Sequence, residues 1–191
     1  MILSNWLIAA CWVVFAAYWL ISAKGVKRNL GSRPWRPEIW LRVVIIVCVI
    51  LVLRVPGLRR ALWQAQQFAD QGGLALTITG AALCVLGIAF AIWARVYLGR
   101  NWGMPMSRKE DPELVTVGPY RYVRHPIYGG LLIAMLGSAI GGMIVWLILV
   151  ILCAVYFVYS ARKEERLMLE QFPEQYAAYM KRTKMFVPFV I

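Results

Sequence analysis

Histidine is almost absent from this chain: His125 is the only one among 191 residues. Acidic residues are scarce as well, nine against 21 lysines and arginines. Cys11, Cys48, Cys84 and Cys153 fall inside apolar segments at no metal-ligand or framework spacing. They read as small buried hydrophobes, so neither a metal nor a disulfide is expected. A basic patch interleaved with aromatics is also missing, because the lysines and arginines sit at the ends of apolar runs. The formal charge of +12 therefore reports topology and not a nucleic-acid partner.

What the chain has in excess is apolar residues, 61% of the total against roughly 45–50% in soluble domains. It is read as an all-α integral membrane protein with about five transmembrane helices, a C-terminal helical hairpin and a cytoplasmic amphipathic tail. The first span covers Leu3 to Ala23; it lacks the basic start of a signal peptide and is longer than an h-region of about 7–15 residues. A second runs from Ile39 to Val55, with Arg42 and Arg54 near its ends. Between Gly57 and Gly72, apolar Leu58, Ala61, Leu62, Ala65, Phe68 and Ala69 recur at helical spacing opposite Arg59, Arg60, Gln64, Gln67 and Asp70, as in a helix lying in the interface. The third span, Gly73 to Leu98, carries Gly80, Cys84, Gly87 and Ala91 on nearly one face, a stripe for close helix packing.

From Pro126 to Ser160 the apolar run exceeds the roughly 20 residues of a single span, and Gly137, Ser138, Gly141 and Gly142 interrupt it. A two-helix hairpin is expected, with a short first arm ending near Ile140. Placing the loops at 24–38 and 95–125 and the tail from 161 on one side gathers 17 of the 21 basic residues there. The positive-inside rule makes that side cytoplasmic and puts the N-terminus outside. Residues 1–72 then form an N-terminal unit of two spans and an interfacial helix, and residues 73–191 a catalytic core. A prokaryotic plasma membrane is the expected location.

The chain is organised around Gly118-Pro119-Tyr120-Arg121-Tyr122-Val123-Arg124-His125-Pro126-Ile127-Tyr128-Gly129-Gly130. Pro126 suits the first turn of a helix and His125 its cap, so free backbone N–H groups beside arginines would make an anion site at the membrane edge. The tail, with Arg162, Glu164 and Glu165, supplies carboxylates to the same side. Neighbours on a helix point about 100° apart, so one glutamate is expected to be the ligand and the other a surface partner. Taken alone, Glu-Glu-Arg reads as a solvated face and a lone histidine as a capping residue.

Together these segments say more. Leu114-Val115-Thr116-Val117-Gly118-Pro119-Tyr120, Arg124-His125-Pro126-Ile127-Tyr128, Glu164-Glu165 and Phe172-Pro173-Glu174-Gln175-Tyr176-Ala177-Ala178-Tyr179, in this order, resemble the isoprenylcysteine carboxyl methyltransferase family, with phospholipid N-methyltransferases as more distant relatives. The resemblance covers roughly residues 95 to 191. It implies an S-adenosylmethionine-dependent methyltransferase whose cofactor is lined by Glu113, Leu114, Val115, Tyr120, His125, Pro126, Ile127 and Tyr128, with Glu164 binding it from the tail and Glu165 beside it. Tyr120 and Tyr128 would offer ring faces to adenine or sulfonium.

The acceptor implied is a lipophilic or amphipathic molecule, foremost a carboxylate, entering sideways from the bilayer lipid between the third span and the hairpin. A carboxylate is already ionised at neutral pH, so in-line transfer would need only alignment and removal of water; an amine, thiol or phenol would call on His125 or Glu165 as base. Members that methylate prenylcysteine carry an arginine four residues before the cofactor glutamate, where this chain has Ser160. Arg162 is the nearby substitute, half a helical turn round. A reductase using NADPH also carries Arg-His-Pro but does not account for the glutamate pair, and a non-enzymatic membrane scaffold does not account for the motif order. Oligomeric state is left open by the sequence.

Overall fold

The computed structural model describes residues 2–24, 29–30, 43, 47, 54–70, 73–102, 108–109, 113–142 and 146–187. Its helices are α1 (Ile2–Ser22), α2 (Pro56–Asp70), α3 (Gly73–Leu98), α4 (Pro126–Gly141), α5 (Trp146–Gln171) and α6 (Pro173–Arg182). Three of them, α1, α3 and α5, are long and apolar enough to cross a membrane. The span expected at Ile39 to Val55 lies largely outside the described residues. The amphipathic helix expected from Gly57 is α2, whose Arg60, Gln64 and Gln67 are exposed and whose Gln66 donates to the Gly142 carbonyl at 2.9 Å.

The centre of the molecule is the antiparallel pair α3–α4, which meet backbone to backbone. A methyl group at Gly80 would run into the Gly141 backbone, one at Gly87 into Ala134, and one at Gly137 into Cys84, while at Gly130 it would lie 2.8 Å from Ala91 N. The stripe of small residues on α3 thus has its counterpart on α4, and the close approach gains dispersion contacts along the whole seam. Gly137 and Gly141 were expected among the residues that interrupt the apolar run; the first arm does end there, at Gly141 with Gly142 as its cap, but Gly137 is a helical residue of this seam. An acceptor path between the third span and the hairpin is closed along this length for the same reason.

Helix α1 packs alongside, with Ile8 against Cys84, Ile88 and Ala134. Trp12 donates to Ser138 Oγ at 3.0 Å and stacks on Trp146 at 5.4 Å, joining α1 to both α4 and α5. Buried Arg95 ties the ends of α1 and α3 together through Ser22 O at 2.5 Å and Gly99 O at 2.7 Å, under the Trp102 ring. Cys11, Cys84 and Cys153 are free, and Cys48 is outside the described residues.

Two features were not foreseen. Asn29–Leu30 and Arg108–Lys109 form a short antiparallel ladder, β1 and β2, which requires the two basic loops to lie at the same end of the bundle, as their charge predicted. The tail is also not separate from the second arm of the hairpin, because α5 runs unbroken across Ser160 to Gln171. At 1.5 Å per residue it is about 39 Å long, whereas α4, with 16 residues, reaches only about 24 Å of a core roughly 30 Å thick.

Candidate functional site

At the Arg95 end of the seam the chain turns back toward α4 through Gly118–Arg121, a single 3₁₀ turn. Gly118 has φ +61° and lies against the Tyr97 ring, a placement that excludes a side chain on two counts. The turn is fixed from the tail by Tyr179, whose hydroxyl donates to Tyr120 O at 2.5 Å. Burial pushes the Tyr179 phenol up to about 12 against the pull of Arg124, and it drives those of Tyr120 and Tyr176 higher still. All three therefore stay neutral near pH 7.

Residues 123–125 next pair with a closing segment, 183–187, that crosses the start of α4. Val123 bridges Lys184 in parallel, Arg124 N donates to Lys184 O at 2.8 Å, and His125 N donates to Met185 O at 3.0 Å. The N–H of His125, the cap residue, is therefore already engaged and not free for an anion. Pro126 starts α4 as predicted and puts Tyr128 in its first turn, beside α5.

Two clusters meet around the His125 ring. In the first, Glu164 Oε1 accepts from Tyr128 at 2.6 Å and from Ser160, one turn earlier on α5, at 3.0 Å, while Oε2 lies 3.6 Å from His125 Nδ1. In the second, Glu165 Oε1 accepts from Arg124 Nε at 2.6 Å and lies 3.4 Å from His125 Nε2. Arg124 also donates to Thr183 O at 2.5 Å. Glu165 is buried and Glu164 half-buried, so neither is the surface partner expected of one of them. Their 100° separation opens a wedge, and His125 stands in it, so each carboxylate approaches one ring nitrogen.

Aromatic rings wall the cluster. Tyr128 stacks on Phe157 at 4.5 Å and on His125 at 5.6 Å, and Phe186 of the closing segment is tilted against both Tyr128 and His125. The ring faces expected to be open are thus engaged by the protein's own rings at Tyr128 and buried at Tyr120.

His125, Pro126, Tyr128, Glu164 and Glu165 are therefore brought together, with half-buried Ile127 in the same turn and Tyr120 just before it. Leu114 and Val115 are half-buried on the loop leading in, where exposed Glu113 accepts from Asn101 at 3.1 Å. Arg162 is exposed: two residues from both Ser160 and Glu164, it falls about 200° round α5 from each and points away. Phe157, Thr183 and Phe186 were given no role from the sequence, whereas Arg124 was read as one of the arginines beside an anion site, Tyr179 only as part of a motif, and Ser160 only as the position where a family arginine is missing. The i, i+4 spacing of Ser160 and Glu164 was a further signal that the two meet.

A family model described as phospholipid methyltransferase matches residues 75–175. Over 147 residues the chain is 32% identical to the nickel-cobalt-cadmium resistance protein NccN of Alcaligenes xylosoxydans xylosoxydans, covering 75% of this chain and 62% of that protein. Over 154 residues it is 27% identical to protein-S-isoprenylcysteine O-methyltransferase B of Arabidopsis thaliana, covering 78% and 71%. Among solved structures it is similar to the eukaryotic intramembrane Ras methyltransferase ICMT (isoprenylcysteine carboxyl methyltransferase), with a TM-score of 0.55 at 22% identity, over 84% of this chain and 55% of that one. The chain thus spans little more than half the length of some of the proteins it matches.

Proposed function

Since this chain belongs to the phospholipid methyltransferase family, we propose that it is an S-adenosylmethionine-dependent methyltransferase of the membrane that acts on a lipophilic acceptor, a carboxylate before an amine or phospholipid. The observation that carries the reading is the convergence of His125, Tyr128 and Glu164, from two segments about forty residues apart in sequence, with Tyr128 bonded to Glu164 at 2.6 Å and His125 within 3.6 Å of it.

The residues fit such a cofactor. His125 Nε2 is buried without a hydrogen-bond partner, and Glu164 keeps an oxygen that neither Tyr128 nor Ser160 engages. When bound, S-adenosylmethionine supplies an activated methyl group. Glu164 Oε2 would receive its cationic part, and the unpaired Nε2 of His125 a polar group. Tyr128 and Ser160 hold the Glu164 carboxylate in place, which spares it reorganisation on binding. Phe157, Tyr128 and Phe186 exclude water from the same volume, and an ionised carboxylate acceptor then needs alignment and desolvation but no base. The acceptor would enter from the bilayer on the α5 side of α4, since the α3 side is sealed. The site end would face the cytoplasm of a prokaryotic cell, by the basic loops gathered there.

Calorimetric titration of detergent-purified protein with S-adenosylmethionine and S-adenosylhomocysteine tests this. Saturable binding that Glu164→Ala and His125→Ala abolish without unfolding is expected, followed by transfer of labelled methyl to a lipophilic acid. Folded protein that binds neither compound but binds NADPH would sink the reading.

A further inference from the structure

Glu165 Oε1 has two neighbours that compete for it, Arg124 Nε at 2.6 Å and His125 Nε2 at 3.4 Å. Arg124 takes the bond. It is held there from the other side by the carbonyls of Thr183, at 2.5 Å, and Met180, at 3.5 Å. Both members of the pair are about nine-tenths buried, with 10% and 9% of their side chains exposed, and the His125 side chain is 8% exposed. Here each carboxylate already has its own donors, Tyr128 and Ser160 on Glu164, Arg124 on Glu165, and His125 Nε2 is left without a partner. Of the other groups near this end, Arg95 is turned to the Ser22 and Gly99 carbonyls, the Tyr120 and Tyr176 phenols stay neutral, and Phe186 from the closing segment is apolar.

We propose that Arg124 is a positioning residue that withholds Glu165 from His125, so that a ring nitrogen of His125 remains open to a ligand in the site. Arg124 itself touches no ligand. It acts through two others: Glu165, whose charge it neutralises, and the closing segment, whose Phe186 it keeps against the His125 ring. The inference rests on the site being the one that binds the methyl donor, but its first consequence is a change in His125 alone.

Since His125 is the chain's only histidine, its imidazole nitrogens can be followed by NMR in the full-length, detergent-purified protein without assignment. Arg124→Gln frees Glu165 to pair with the ring, so the His125 pKa should rise by about one unit or more. Binding of S-adenosylhomocysteine should fall by about ten-fold or more, the scale of one lost charge-assisted contact. The double variant Arg124→Gln, Glu165→Gln removes both charges and should return the His125 titration toward wild type and recover much of the binding. Arg124→Lys keeps the cation and should leave the titration nearly unmoved.

A folded Arg124→Gln protein with unchanged His125 titration overturns the proposal. So does a double variant whose titration and binding match the single one, since a merely structural staple would behave that way. If Arg124→Gln does not fold, Arg124→Lys and the double variant decide the matter by the same titration. Wild type that binds no S-adenosylhomocysteine would remove the methyl-donor reading, while the titrations would still decide whether Arg124 governs His125.

Discussion

The α3–α4 seam and the cluster around His125 lie in one molecule a few turns apart and are held by opposite means. The seam has no charged residue between Gly80 and Ala91 or between Gly130 and Gly141; it coheres because at Gly80, Gly87, Gly130 and Gly137 the two backbones meet with no side chain between them. The cluster draws on five charged or titratable side chains, Arg124, His125, Tyr128, Glu164 and Glu165, and fixes them with a few short hydrogen bonds. Shape supports the first region and charge the second. A change of volume should therefore injure the seam and spare the chemistry of the cluster, whereas a change of one polar atom should do the reverse.

The largest effect is expected at Gly87. Gly87→Leu places a branched side chain where a methyl group already meets the Ala134 backbone, and it should cost about 3 kcal/mol or more, read as loss of monodisperse, cooperatively melting protein. A Gly87→Leu protein as stable as wild type would break the comparison at its root. Next comes Tyr128→Phe, which removes the hydroxyl donor at 2.6 Å from Glu164. Binding of S-adenosylhomocysteine should weaken by about ten- to a hundred-fold, the worth of a hydrogen bond to a charged group, with a much smaller change in melting midpoint. If the midpoint collapsed instead, the cluster would be as structural as the seam.

Tyr179→Phe sharpens the comparison at the border between the two regions. It deletes the bond to Tyr120 O and should cost about 1 kcal/mol, with faster amide exchange confined to residues 118–125. Arg162→Ala should do least. The residue is exposed, so a stability change within about 0.5 kcal/mol and unaltered cofactor binding are expected, checked by calorimetry. A marked loss of methyl transfer with intact binding would reinstate Arg162 as the residue that holds the acceptor.

These regions were not equally legible in the sequence. The stripe Gly80, Cys84, Gly87 and Ala91 announced a close helix contact, because small residues at that spacing have few other uses in a membrane. Its partner was harder to see, since Gly137 and Gly141 serve equally as helix breakers and as packing residues, and only the neighbouring backbone distinguishes the two. At the site, His125, Tyr128 and Glu164 were legible from the order of their motifs. The place of Glu165 was not, because the 100° between adjacent helical residues was taken as divergence when a third residue can fill the angle. Arg124 and Phe186 depend on the pairing of residues 123–125 with 184–185, a long-range contact that leaves no periodicity in either segment.

That pairing also sets an order of events for the chain. The seam joins α3 and α4, which both precede α5 and α6 in the chain, and it can zip one helical turn at a time. The bond from Arg124 to Thr183 instead encloses α4, α5 and α6, and it can form only once these last helices of the chain have been made and placed. The candidate site is thus assembled after the body that carries it. Mild heating or detergent stress should undo it first, leaving a membrane-embedded bundle that is folded but has nothing with which to hold a ligand.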